Sequence, residues 1–194
     1  TNPLVILSNR NPDFSGAPYP VILSSTKVAT ILAPYVISHG FTWISVDKID
    51  TYMIMNPDIY QQPLDILFAL NKVAEDPPEG LKGMVNTDVA GAIGYSFDGN
   101  NSLVLSGARI DPDLYFSYCT DDTQEVDWGD MSSFSCKPYE NWGEFSTAAG
   151  EAITGRNDKL WKPITDKRIR AFMPLAAEGI WLFDLSYIDH PVMM

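Results

Sequence analysis

The stretch Ala176–Pro191, AAEGIWLFDLSYIDHP, constrains the chain most, because its pattern demands something to pack against. Taken by twos, Trp181, Phe183, Leu185 and Tyr187 share one face, and Ile180, Leu182, Asp184, Ser186 and Ile188 share the other. A period of two predicts a strand, not a helix. The all-apolar face requires a partner sheet, and Pro191 ends the run because proline donates nothing to a ladder.

The rest of the chain reads as more of the same. Residues 1–20 carry Leu4–Leu7 and then turn formers, an extended arm or entry loop. Val21–Val36 is rich in β-branched residues and predicts one or two strands; Phe41–Asn56 predicts another, closed by Asn56-Pro57-Asp58. Pro63–Ala74 fits helix and strand equally. Glu75–Gly80 is a rigid acidic turn, and Leu81, Met84, Val85 and Val89 recur at helical spacing, predicting one short helix in a loop. Asp98-Gly99-Asn100-Asn101 reads as a hairpin turn between Tyr95–Phe97 and Ser102–Ser106. Asp111-Pro112-Asp113 is a further turn, and Leu114–Tyr118, Phe134–Lys137, Gly143–Ala148 and Ile169–Leu175 predict short strands. Fourteen prolines and thirteen glycines punctuate these runs. The expected fold is all-β: a single eight-stranded jelly-roll β-sandwich, one domain over residues 1–194.

A formal net charge of −12 disfavours general binding to nucleic acid. Arg156, Lys159, Lys162, Lys167, Arg168 and Arg170 are the local exception, six of the thirteen basic residues, suited to a polyanion or an acidic neighbouring subunit or simply to solvent. Asp111, Asp113, Asp121, Asp122 and Asp127 lie in acidic loops that suit a hard cation such as calcium, or remain solvated. Trp128, Trp142 and Trp161 lie in or beside loops, where they serve as interface anchors or as lids over the ends of a sandwich. Cys119 and Cys136 are compatible with a disulfide and with two buried thiols. His39 and His190 both flank turns. The G-x-S-x-G, H-E-x-x-H, P-loop and dinucleotide signatures are absent, so no catalytic residue is expected. Without a run of eighteen apolar residues, no membrane partner is expected either.

Several stretches together resemble a known family. FTWISVDKIDTYMIMNP followed by DILFALNKVAEDPPEGLKGMVNTDVAGAIGYSF, with Glu75-Asp76-Pro77-Pro78 as the acidic turn and Leu81–Ala92 as the short helix, is similar to the shell domain of small icosahedral positive-strand RNA virus coat proteins. The tombusvirus-like, nodavirus-like and tetravirus-like groups share that order. WGEFSTAAGEA and EGIWLFDLSYIDHP resemble later strands of the same family. The resemblance implies a jelly-roll capsid protein of the virion that self-assembles as a homo-oligomer into an icosahedral shell, with calcium between subunits. It implies a viral genome held mainly by a basic arm not present in this sequence, and a host receptor as a further partner. The competing expectation is a jelly-roll binding module, viral projection or lectin-like, that recognises a receptor or glycan.

Overall fold

The computed structural model describes residues 4–7, 14–47, 57–120, 136, 140–154, 160–177 and 182–193. Its main sheet has the order β1-β3-β2-β4-β6, formed by β1 (Leu4–Leu7), β2 (Tyr19–Ser25), β3 (Thr42–Val46), β4 (Val85–Tyr95) and β6 (Ile169–Leu175). Strands β3, β2, β4 and β6 run parallel, and β1 pairs antiparallel with β3 at one edge. Helices α1 (Thr26–Ser38), α2 (Asp58–Glu75) and α3 (Phe97–Leu105) connect them. Beyond α3 come β5 (Arg109–Ile110), α4 (Pro112–Thr120), α5 (Trp142–Ala149), a helical turn Glu151–Thr154, and β7 (Phe183–Asp184), which pairs with β5. The all-β expectation, the jelly roll and the β-sandwich are therefore wrong: the chain is α/β, with helices on both faces of a largely parallel sheet.

Each misreading has a physical cause. A parallel strand is covered on both faces, so it shows a continuous apolar run and no alternation. Val21 and Leu23 of β2, Ile44 and Val46 of β3 and Ala90 and Ala92 of β4 pack with Ile66, Ala69, Leu70 and Val73 of α2. On the opposite face Ile22, Trp43 and Ile93 pack with Val28, Ala29, Leu32, Ala33 and Val36 of α1. Val21–Val36, expected to hold one or two strands, passes from strand to helix after Ser25. The ambiguity at Pro63–Ala74 arises from starting too late. Counted from Ile59, the buried positions Ile59, Gln62, Pro63, Ile66, Ala69, Leu70 and Val73 follow one helical face.

The predicted helix Leu81–Ala92 is instead largely β4, whose backbone bonds on both sides to β2 and β6. Its Ala90, Gly91, Ala92 and Gly94 are poor strand formers by propensity, and close neighbours dictate them. A Cβ on Gly91 would lie 3.2 Å from Ile22 Cδ1, and one on Gly94 would lie 1.8 Å from the Asp98 carbonyl oxygen. The predicted hairpin at Asp98–Asn101 is the first half of α3, which is buried along its length. Its turn-forming side chains are polar pins. Asn101 Nδ2 donates to Gln62 Oε1 of α2 at 2.7 Å, and Ser102 Oγ donates to the Ala92 carbonyl at 2.9 Å.

Leu114–Tyr118 and Gly143–Ala148, expected as strands, lie in α4 and α5. Asp111-Pro112 is a helix start, not a simple turn: the Leu114 N–H donates to Asp111 Oδ1 at 3.1 Å, and Pro112 takes the first helical position, where its missing N–H costs nothing. Among the described residues of the 176–191 stretch, the strand is the two-residue β7. Leu185 and Tyr187, expected to be buried, are 37% and 58% exposed. Asp184 accepts the Ser186 N–H at 2.6 Å, and this local turn ends the ladder that the alternation implied. Expected strands within Phe41–Asn56 and at Ile169–Leu175 are present as β3 and β6, whereas Leu4–Leu7, expected to belong to an arm or entry loop, is the edge strand β1.

Cys119 and Cys136 form a disulfide with a Cα–Cα distance of 5.6 Å. It joins the end of α4 to a residue 17 positions on. A loop of that size predicts a loss of about 3 kcal/mol when Cys119 and Cys136 are both changed to serine. Urea unfolding of oxidised protein and variant measures it, and coincident midpoints would refute it. Among the described residues no helix is long and apolar enough to cross a membrane.

Candidate active site

The chain leaves β2 through α1 to reach β3 on one side, then returns through α2 to β4 on the other. Strands β2 and β4 are neighbours, yet the helices that follow them cover opposite faces: α1 packs with Trp43, while Leu105 of α3 joins the α2 side. The carboxyl ends of β2 and β4 thus flank a topological switch point, the place where open α/β sheets leave a crevice.

Two serines end those strands. Ser25 precedes α1 with φ −88° and ψ 173°; Ser96 precedes α3 with φ 60° and ψ −126°. Ser96 and Ala176 are the non-glycine residues with positive φ among those described, and both follow the carboxyl ends of adjacent strands. The Ser96 conformation is one that L-residues rarely adopt, with a cost on the order of 1–3 kcal/mol that the surroundings must offset. They do so from three sides. The Ser96 N–H donates to the Leu175 carbonyl at 2.9 Å, and the Gly99 N–H donates to the Ser96 carbonyl at 2.8 Å. Gly94 and Gly99 allow the strand and helix to close upon each other. A Cβ on Gly99 would sit 2.9 Å from both Ala177 Cα and the Leu175 carbonyl oxygen.

The result is a sharp strand–serine–helix turn with a half-buried serine at its tip. Neither Ser25 nor Ser96 caps its helix through its side chain. The first N–H groups of a helix have no intrahelical acceptor. Two helix N-termini, with their partial positive charge, therefore meet at one edge of the sheet, an arrangement that favours negative charge. Ser25 Oγ instead donates to Asp98 Oδ2, and both residues are buried.

The two histidines lie elsewhere. His39 follows the C-terminus of α1, at the amino-end edge of the sheet, with Nδ1 2.9 Å from the Tyr35 carbonyl. His190 lies 3.3 Å from the Asp189 carboxylate and beside Phe172, upstream of Leu175 in β6.

Of the described residues singled out from sequence, Asp113, Trp142 and Trp161 line one cavity. Asp111 spends its carboxylate on the cap of α4, and Asp113 is exposed on that helix. Among the described residues no group of three or more His, Cys, Asp or Glu side chains could hold a metal. Asp121, Asp122, Asp127, Trp128, Arg156 and Lys159 lie outside the described residues. Lys162 and Lys167 are exposed. Arg168 forks onto Asp166 at 2.8 and 2.7 Å and reaches Asn71 Oδ1 at 2.5 Å; Arg170 reaches the Asp88 carbonyl at 3.4 Å. That fork holds the Asp166 carboxyl below the usual carboxylate range, its hydrogen bond from Arg168 outweighing burial. Trp161 is buried and Trp142 half-buried in an aromatic cluster with Tyr60, Tyr115, Phe116 and Phe145. A cavity of about 410 Å³ beside that cluster is walled by Phe116, Trp142 and Trp161, with Asp113, Ser146 and Thr154 supplying polar groups.

Ser96 escaped the sequence reading because Asp98 stands where G-x-S-x-G has its second glycine, which here comes one residue later. The signal that would have found it is Gly94-Tyr95-Ser96 at the end of a small-residue strand, followed by Gly99. No family model matches the chain, and no curated protein matches it.

Proposed function

We propose that this chain carries the nucleophile of a serine hydrolase of the α/β-hydrolase type, acting on carboxylic esters or related acyl compounds. The observation that carries the proposal is Ser96, at φ 60° on a strand-to-helix turn closed by two glycines at the carboxyl end of a central parallel strand. That geometry is the nucleophile elbow, which presents a serine hydroxyl above the sheet. Ser96 Oγ attacks the substrate carbonyl, forming a C–O bond as its proton passes to a base. The negative oxygen of the tetrahedral intermediate lies against the Phe97 N–H and an N–H from the β2–α1 junction. Collapse expels the alcohol and leaves an acyl ester on Ser96, which water then hydrolyses.

Neither His39 nor His190 is placed to be the base, so the reading requires another group to be delivered to this edge. The Cys119–Cys136 disulfide supports work in an oxidising compartment. The jelly-roll fold that the shell-forming reading and its binding-module alternative assumed is overturned by the largely parallel α/β sheet.

The test is covalent labelling of the full-length protein with a fluorophosphonate, followed by peptide mass spectrometry. The expected adduct is on the peptide containing Ser96, and Ser96→Ala removes it and lowers p-nitrophenyl ester hydrolysis on the order of 10³-fold or more. Hydrolysis that survives Ser96→Ala sinks the proposal.

A further inference from the structure

We infer that the Ser25–Asp98 hydrogen bond is a positioning clamp that sets the spacing between the two donors of the oxyanion site. The inference rests on the reading of Ser96 as nucleophile. A serine at a helix N-cap ordinarily turns its oxygen back to accept an N–H of its own first turn. Ser25 does not: its hydroxyl crosses to Asp98 Oδ2, 73 residues away in sequence. Two consequences follow. The first-turn N–H groups of α1 are left without that side-chain acceptor, and the start of α1 is tied to the start of α3.

Asp98 suits the second half of this device. It is 1% exposed and occupies the second position of α3, where a helix N-terminus stabilises a carboxylate. A glycine at this position would leave the elbow intact and have no side chain to reach Ser25. The Asp98 carboxylate therefore grips one helix start while its own backbone belongs to the other. An oxyanion site works by holding its donors in place before the charge develops, and a tolerance of about 0.5 Å is what such sites require.

The experiment measures p-nitrophenyl acetate hydrolysis and inhibition by an arylboronic acid, whose tetrahedral adduct mimics the transition state, in the full-length protein. Ser25→Ala is expected to lower kcat on the order of 10-fold, less than the 10²–10³ that follows loss of an oxyanion donor itself. KM stays within about 2-fold, and boronate affinity falls by the same factor as kcat, because only transition-state binding is affected. Ser25→Thr, which keeps the hydroxyl, is expected to restore most of the rate. An unchanged kcat in Ser25→Ala overturns the clamp, as does a loss that appears in KM alone. Should Ser25→Ala fail to fold, Asp98→Ala, which removes the acceptor of the Ser25 hydroxyl, decides: a lowered kcat at constant KM supports the clamp and an unchanged kcat overturns it. The two readings fail separately. Activity in Ser96→Ala removes the nucleophile, whereas an inactive Ser96→Ala beside a fully active Ser25→Ala removes the clamp alone.

Discussion

Gly94→Ala is expected to destabilise the protein by at least about 3 kcal/mol, above the usual range for one added methyl. The reason is the identity of the atom in the way. The new Cβ would lie 1.8 Å from the Asp98 carbonyl oxygen and 2.3 Å from its carbon. Both belong to the backbone, so no rotamer change relieves the contact; the turn itself must open. Opening it pulls α3 from β4, and with it the Ser102 bond to the Ala92 carbonyl and the placement of Ser96. Gly143 is the internal control. A Cβ there meets nothing within 4 Å, and it lies inside α5, so Gly143→Ala is expected to be stabilising by about 0.5–1 kcal/mol. Urea denaturation of both variants reads the contrast. A Gly94→Ala midpoint near that of the parent would show that the elbow is not closed as described.

Trp161→Ala is expected to cost about 3–5 kcal/mol of chain stability, the range for deleting a buried aromatic side chain. Trp161 is 2% exposed, and its ring centroid lies 5.6 Å from those of both Trp142 and Phe145 and 5.9 Å from that of Tyr60. Its backbone is equally engaged, the N–H donating to the Ile110 carbonyl and the carbonyl accepting Arg109 Nε at 2.6 Å. The loss is expected at infinite dilution, since the contacts lie within one chain. The alternative outcome, unchanged monomer stability with a lost oligomer, would make Trp161 the interface anchor that its place beside a loop suggests. Chemical denaturation and light scattering on one preparation separate the two.

Much of the strand placement was legible. Thr42–Val46 and Ile169–Leu175 are apolar and β-branched enough to be recognised alone, whereas Leu4–Leu7 reads as part of an arm and becomes a strand by pairing with β3. Helices misled for identifiable reasons. Residues 97–105 hold Asp-Gly-Asn-Asn, whose local preference is a turn, and tertiary contacts with Gln62 and the Ala92 carbonyl override it. Gly143–Ala148 carries Ser and Thr, whose hydroxyls bond back to the Gly143 carbonyl inside a helix, at 3.2 Å from Ser146 and 2.6 Å from Thr147. Ala176–Pro191 shows the reverse error: a faultless alternation that, among its described residues, finds a strand partner at Phe183–Asp184 and leaves Leu185 and Tyr187 exposed. The jelly-roll expectation rested in part on reading Gly143–Ala148 as a strand and falls with it.

By itself, the sequence determined the positions of several strands, the acidic surface, and the small residues at 90–94 and 99. Local composition suffices for those because they follow from side-chain volume, branching and charge. Only the tertiary structure decided that the strands run parallel, that β2 lies between β3 and β4, and that Ser25 and Ser96 meet at one edge. Strand order and direction depend on contacts between residues far apart in the chain, as between Ser25 and Asp98. No pattern of neighbours along the sequence encodes that meeting.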